Sequence, residues 1–242
     1  MRFENPRESG PVFLVTGLYA AVIDVGFHVE APPLAPASLL IVALSLIILG
    51  HLLNLYQVAK DGDYPGWAYG VEFLILATVA WMFKLLAHPV LGGAASFLPF
   101  PLADYGADAA AVAWRGGNVP TDQQHELFRV ALNRTFSLSF GLVVLLFVWH
   151  QLVKWHNRDR LWLKDELLYF VGWAVMLLFG LGGLCLTRSE PASEDSYKRV
   201  MGWLEGLALV AVVFSTTFLV AAKWTDATYQ PRTGARPASG RG

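Results

Sequence analysis

The chain of 242 residues is 55% hydrophobic and 15% charged, with a formal net charge of −1 and a mean hydropathy of +0.45. Soluble domains carry about 25% charged residues, so this deficit points to a membrane protein, and no basic stretch is dense enough to suggest a nucleic-acid partner. The single cysteine, Cys185, excludes an intrachain disulfide and any CxxC motif; lying in an apolar run, it is expected to be a buried, inert thiol.

A helix needs roughly 20 mostly apolar residues to cross a bilayer's hydrocarbon core. Six stretches are read as spans. The first, 11–28, is the shortest and contains Asp24. Arg2 and Arg7 before an apolar core also fit a signal peptide, but no small-x-small cleavage site follows and an aspartate is foreign to such a core. The stretch is therefore taken as a span. Spans 36–56 and 67–86 come next, the latter with Lys84 near its end, where the side chain can snorkel outward. A long outer segment, 89–133, begins rich in Gly, Pro and Ala. At Thr121 the sequence TDQQ forms a capping box, predicting a helix that runs through Glu126 and Arg129 into the fourth span, 135–153. The fifth and sixth spans are 167–186 and 202–222. From Gln230 the sequence QPRTGARPASGRG reads as a disordered tail, 230–242. The expected fold is all-α: one transmembrane domain over 1–229 built as a bundle of about six helices, because only helices and closed barrels satisfy their backbones in lipid.

Orientation is read from the bias of Lys and Arg between short loops. The loop 155–164 is short and basic, with Arg158, Arg160 and Lys164, whereas the turn 29–35 has neither Lys nor Arg. Both termini are thus expected in the cytoplasm, in a membrane of the bacterial cytoplasmic type. Trp67, Trp155, Trp162, Trp203 and Trp224 fall at span ends, where an indole suits the headgroup level.

Glycines suggest where helices touch. Gly66 and Gly70 in GWAYG, Gly202 and Gly206 in GWLEG, and the cluster Gly180, Gly182 and Gly183 are expected at helix contacts, with Ser215, Thr216 and Thr217. GWAYG opens the third span and GWLEG the sixth, from opposite faces, which fits two inverted halves of three helices. A competing parallel similarity aligns His51 at the end of the second span with His150 at the end of the fourth.

Ionisable groups in hydrocarbon are costly and tend to face a protein interior, a partner or water. Here they sort into two layers. The inner layer holds His51, Asn54, Glu72, His150, Gln151 and Glu166; the outer holds Asp24, His28, Glu30, His88 and Glu205. Glu166 begins a span, where the helix dipole favours a carboxylate. Glu72 lies a turn deeper and is a candidate cation or proton site. Asp24 and His28, spaced i, i+4, share a helix face, and a cation entering from outside would meet Asp24 and Glu205. His51 and His150 lie at similar depth, and two imidazoles on neighbouring helices can ligate a b-type haem. Against these stand the bland readings, an interfacial polar ring for the histidines and a local hydrogen-bonded pair for Asp24 and His28. A di-iron site is disfavoured because no Glu-x-x-His occurs.

No Walker loop, HExxH, GxSxG elbow or dinucleotide fingerprint is present, nor the arginine ladder of a voltage sensor or a TVGYG filter. No catalytic residue is assigned and no metal is expected. The leading expectation is a transport or channel subunit for a small ion or solute, using Asp24, His28, Glu72 and Glu205. The alternatives are a non-catalytic subunit of a larger membrane assembly and a redox protein holding haem b between His51 and His150. A homo-oligomer or a membrane-complex partner fits the first two.

Overall fold

The computed structural model describes residues 6–27, 35–61, 65–87, 121–156, 166–188, 191 and 193–227. Its regular structure among them is entirely helical: α1 (Pro6–Phe27), α2 (Ala35–Asp61), α3 (Ala68–Ala87), α4 (Thr121–His156), α5 (Glu166–Arg188) and α6 (Glu194–Ala227). Five of these, α2 to α6, are long and apolar enough to cross a membrane; the apolar stretch of α1 is shorter, Leu14–Asp24. The tail 230–242, the loop positions 89–120, His28, Glu30 and His88 lie outside the described residues.

Local chemistry sets the helix starts. The turn at Pro65, Gly66 and Trp67 passes into α3 through bonds from Ala68 N to the Pro65 carbonyl (2.9 Å) and from Gly70 N to the Trp67 carbonyl (3.0 Å). Helix α4 begins at Thr121, as the TDQQ box predicts. Helix α6 begins eight residues before the predicted span. Ser193 caps it, its Oγ accepting from Ser196 N at 3.2 Å, and Glu194 and Asp195 occupy the positive end of the dipole. GWLEG therefore lies inside α6 rather than opening it.

The helix pairs define the architecture. Helix α2 packs on α3, α3 on α4, α4 on α5, α5 on α6 and α6 back on α2, while α1 packs against both α2 and α3. The five long apolar helices thus close a ring, and α1 fills the groove on the α2–α3 seam. The core runs through Ile48 and Leu55 of α2, Val79 and Phe83 of α3, and Leu132 and Leu142 of α4, all nearly inaccessible. Large apolar side chains also point outward, among them Phe73, Val144, Leu178, Trp203 and Val213. That pattern suits a lipid solvent, in which an exposed apolar face costs nothing.

Two glycine expectations separate here. A Cβ on Gly183 would fall 2.3 Å from the Phe136 ring, and one on Gly180 would fall 2.5 Å from Ser139 Oγ. These two glycines let α5 press against α4. Gly182 has only ordinary contact with Leu207, and among the described residues Gly66, Gly70, Gly202 and Gly206 have nothing within 4 Å of an added Cβ. The GWAYG and GWLEG glycines are therefore not close-approach points: a small residue makes an interface only where a second helix lies over it. Ser215 is buried, while Thr216 and Thr217 are exposed and bond their own helix at the Val212 and Val213 carbonyls. Cys185 also departs from expectation. It is exposed on the outer side of α5, because an apolar run in lipid does not mark the buried side.

Candidate functional site

Glu72 is the fifth residue of α3 and faces into the three-helix junction of α1, α2 and α3, with 1% of its surface accessible. A carboxylate so deep needs donors, since an unpaired buried charge is severely penalised. Two neighbouring helices supply them. Tyr19 on α1 donates its hydroxyl to Glu72 Oε2 at 3.1 Å. His51 on α2 places Nε2 3.0 Å from Oε2 and 3.2 Å from Oε1, so one ring N–H is shared between both carboxylate oxygens. Tyr19 and His51 are themselves buried. The Tyr19 ring also meets the His51 ring edge-on, with centroids 6.0 Å apart.

The far side of His51 looks into the ring of helices. Trp149 of α4 packs against it edge-to-face, with centroids 4.6 Å apart. Both residues line a cavity of about 780 Å³, counting the part open to its surroundings, enclosed by α2, α4, α5 and α6. His150, Asn54 and Tyr169 line the same space. Tyr169 donates its hydroxyl to Asn54 Oδ1 at 3.0 Å, tying α5 to α2. The His150 ring rests between Tyr169 and Trp173, with centroids 4.8 and 5.2 Å away. A second cavity of about 610 Å³, also partly open, continues between the same helices and α3 and shares Ile47, Met176, Phe214 and Ser215 with the first. Among the described residues, no Asp, Glu, Lys or Arg lines either space.

The expected inner layer is thus partly assembled. Glu72, His51, Asn54 and His150 converge on one end of the bundle, in two linked groups. The outer candidates do not join them. Asp24 on α1 and Glu205 on α6 are both exposed, on helices that form no main pair with each other. The side chain of Glu166 lies outside the description. Tyr19 was not picked out from the sequence. Its only signal there is a hydroxyl within an otherwise apolar segment, five residues before the more conspicuous Asp24.

The haem geometry is also defined. His51 and His150 line one cavity, as an axial pair would require, but His51 Nε2 is held by both oxygens of Glu72. An axial bond to iron would have to come from Nδ1 or displace the carboxylate. Among the described residues no three His, Cys, Asp or Glu side chains are grouped to hold a metal ion.

A second buried charge lies at the opposite end. Arg129 near the start of α4 donates from Nη1 to the Thr187 carbonyl at 2.6 Å, at the last turn of α5. It also forms a two-pronged pair with Glu126, at 2.8 Å from Nε and 2.5 Å from Nη2. Asn133 donates to Thr187 Oγ1 at 3.0 Å. This cluster satisfies carbonyls that a helix end leaves unpaired and places a cation at the negative end of the α5 dipole.

Chemically, the first site sets an imidazole against a buried carboxyl group, and that imidazole also borders the cavity. Comparison with protein-family models, with curated proteins and with solved structures finds no match in any of the three.

Proposed function

We propose that the protein is a membrane transport protein that moves a small ion or solute through the interior of the helix ring, with Glu72 and His51 as its proton- or cation-binding pair. The observation carrying this reading is the double membership of His51: it bonds Glu72 on one side and lines the cavity on the other. A charge state set at Glu72 is then felt by whatever occupies the cavity. Buried ionisable groups within membrane helices mark ion pathways and proton relays by default, because their desolvation cost is otherwise uncompensated. Two adjacent cavities between these helices supply room inside the ring. The basic loop 155–164 favours cytoplasmic termini on this reading.

The test is flux. Purified protein in liposomes loaded with a pH-reporting dye is given a potassium-diffusion potential. The wild type is expected to acidify or alkalinise the lumen faster than empty liposomes, and Glu72→Gln to reduce that rate at least tenfold while remaining folded. Wild-type protein no faster than empty liposomes would favour a non-catalytic subunit, and equal rates for wild type and Glu72→Gln would remove the pair from the pathway. A haem-type absorption band bleached by His150→Ala would replace the transport reading with the redox one.

A further inference from the structure

The cavity bordered by His51 has a composition that defines its occupant. Its walls are aromatic and aliphatic, with Trp149, Trp173 and Phe218 among them. Its polar groups are a small set: two histidines, the amide of Asn54, the hydroxyls of Tyr169 and Ser215, and the indoles of Trp149 and Trp173. Among the described residues no Asp, Glu, Lys or Arg side chain lines it to neutralise an ion, and a bare charge brought into so apolar a space would be strongly disfavoured. The occupant is therefore uncharged.

The polar groups say more. The hydroxyl proton of Tyr169 is committed to Asn54 Oδ1, and that bond fixes the amide so that its NH2 is the group left to donate. A neutral imidazole contributes one N–H more. Donors of this kind recognise carbonyl or ether oxygens. The rings of Trp173, Tyr169 and His150 stand at 5–6 Å centroid spacings and at steep or tilted angles, an arrangement that takes a flat group against ring faces and edges. The second cavity lies next to it as a nearly apolar slot, with Ile47, Met176, Phe214 and Ser215 lining both.

We propose that the two adjacent cavities together bind an uncharged, membrane-soluble amphipath: a flat head bearing hydrogen-bond-accepting oxygens among His150, Asn54 and Trp173, and an apolar tail in the neighbouring slot. A quinone is the chemical type that matches. That this ligand is the transported solute rests on the transport reading; that it binds does not. Binding here involves no electron transfer.

Trp149 and Trp173 line the site, and quinones quench indole fluorescence, so binding can be read directly. Full-length protein in detergent is titrated with decylubiquinone. A saturable component of quenching is expected, lost in Trp149→Phe/Trp173→Phe and shifted at least tenfold to higher concentration in Asn54→Leu and in His150→Leu. The conservative His150→Asn, which keeps a donor, is expected to restore most of the affinity. Quenching that rises linearly and equally in wild type and the double tryptophan variant would overturn the proposal, since it reports only partition into the micelle. Displacement of decylubiquinone by tetraphenylphosphonium would overturn the uncharged class. Binding without flux would remove the transport reading and leave the site, whereas Glu72-dependent flux without binding would do the reverse.

Discussion

Two buried charges sit at opposite ends of the bundle, and they are answered differently. Arg129 is met by the Thr187 backbone carbonyl and by Glu126, three residues away on its own helix. Glu72 is met by the side chains of Tyr19 and His51, each from a different helix. A carbonyl cannot exchange a proton or swing away, so the arginine cluster is a fixed clamp between α4 and α5. Imidazole and carboxylate can redistribute a proton between them, and His51 also borders a cavity. On the proposed reading, burial alone does not mark a functional charge, and the partners of Glu72 set it apart from Arg129.

The comparison can be broken first at Glu72. Glu72→Ala removes the acceptor that the Tyr19 hydroxyl and His51 share, and breaking a buried pair in this way costs about 3–5 kcal/mol. The fraction folded after heating in detergent is expected to fall sharply, whereas Glu72→Gln, which keeps an acceptor oxygen, retains most of the stability. Arg129→Ala is the matching cut at the other end. It removes charge-assisted bonds each contributing about 1.5–3 kcal/mol, so a clear loss of thermal stability is expected, with the flux per folded molecule unchanged. Loss of flux with intact folding in Arg129→Ala would erase the distinction.

A smaller effect separates true helix contacts from apparent ones. Gly183→Ala drives a methyl group into the Phe136 ring, and overpacking of this kind costs about 1–3 kcal/mol. Gly206→Ala, with nothing near its added Cβ, is expected to be neutral or to stabilise by about 0.5–1 kcal/mol through helix propensity. Melting the two variants side by side checks the ring packing without touching either charge.

The contrast also explains what the sequence could and could not reveal. Helices α2 and α3 match the predicted spans 36–56 and 67–86 closely, because hydropathy alone defines them. The start of α4 is legible from TDQQ, whereas at α6 the apolar run from 202 masks the equivalent signal, Ser193 followed by Glu194 and Asp195. Polar first turns extend a membrane helix beyond its apolar part, and only cap chemistry shows them. Glu72 and His51 stood out individually because ionisable groups are rare in spans. Their pairing did not, since His51 had been aligned with His150 by depth, and depth says nothing about which way a side chain faces. Tyr19 was hidden for a related reason: a tyrosine in a span is unremarkable until a carboxylate is found opposite it.

The proposed role of Glu72 requires that its carboxyl take up and release a proton inside the junction. The most direct measurement is an infrared difference spectrum between acid and neutral pH, within the range where the protein stays folded. The expected result is a carbonyl stretching band of a buried protonated carboxyl, absent in Glu72→Gln and shifted in Tyr19→Phe, which deletes the donor to Oε2. A spectrum in which no carboxyl band depends on Glu72 would contradict the account, leaving the pair a structural tie like the one at Arg129.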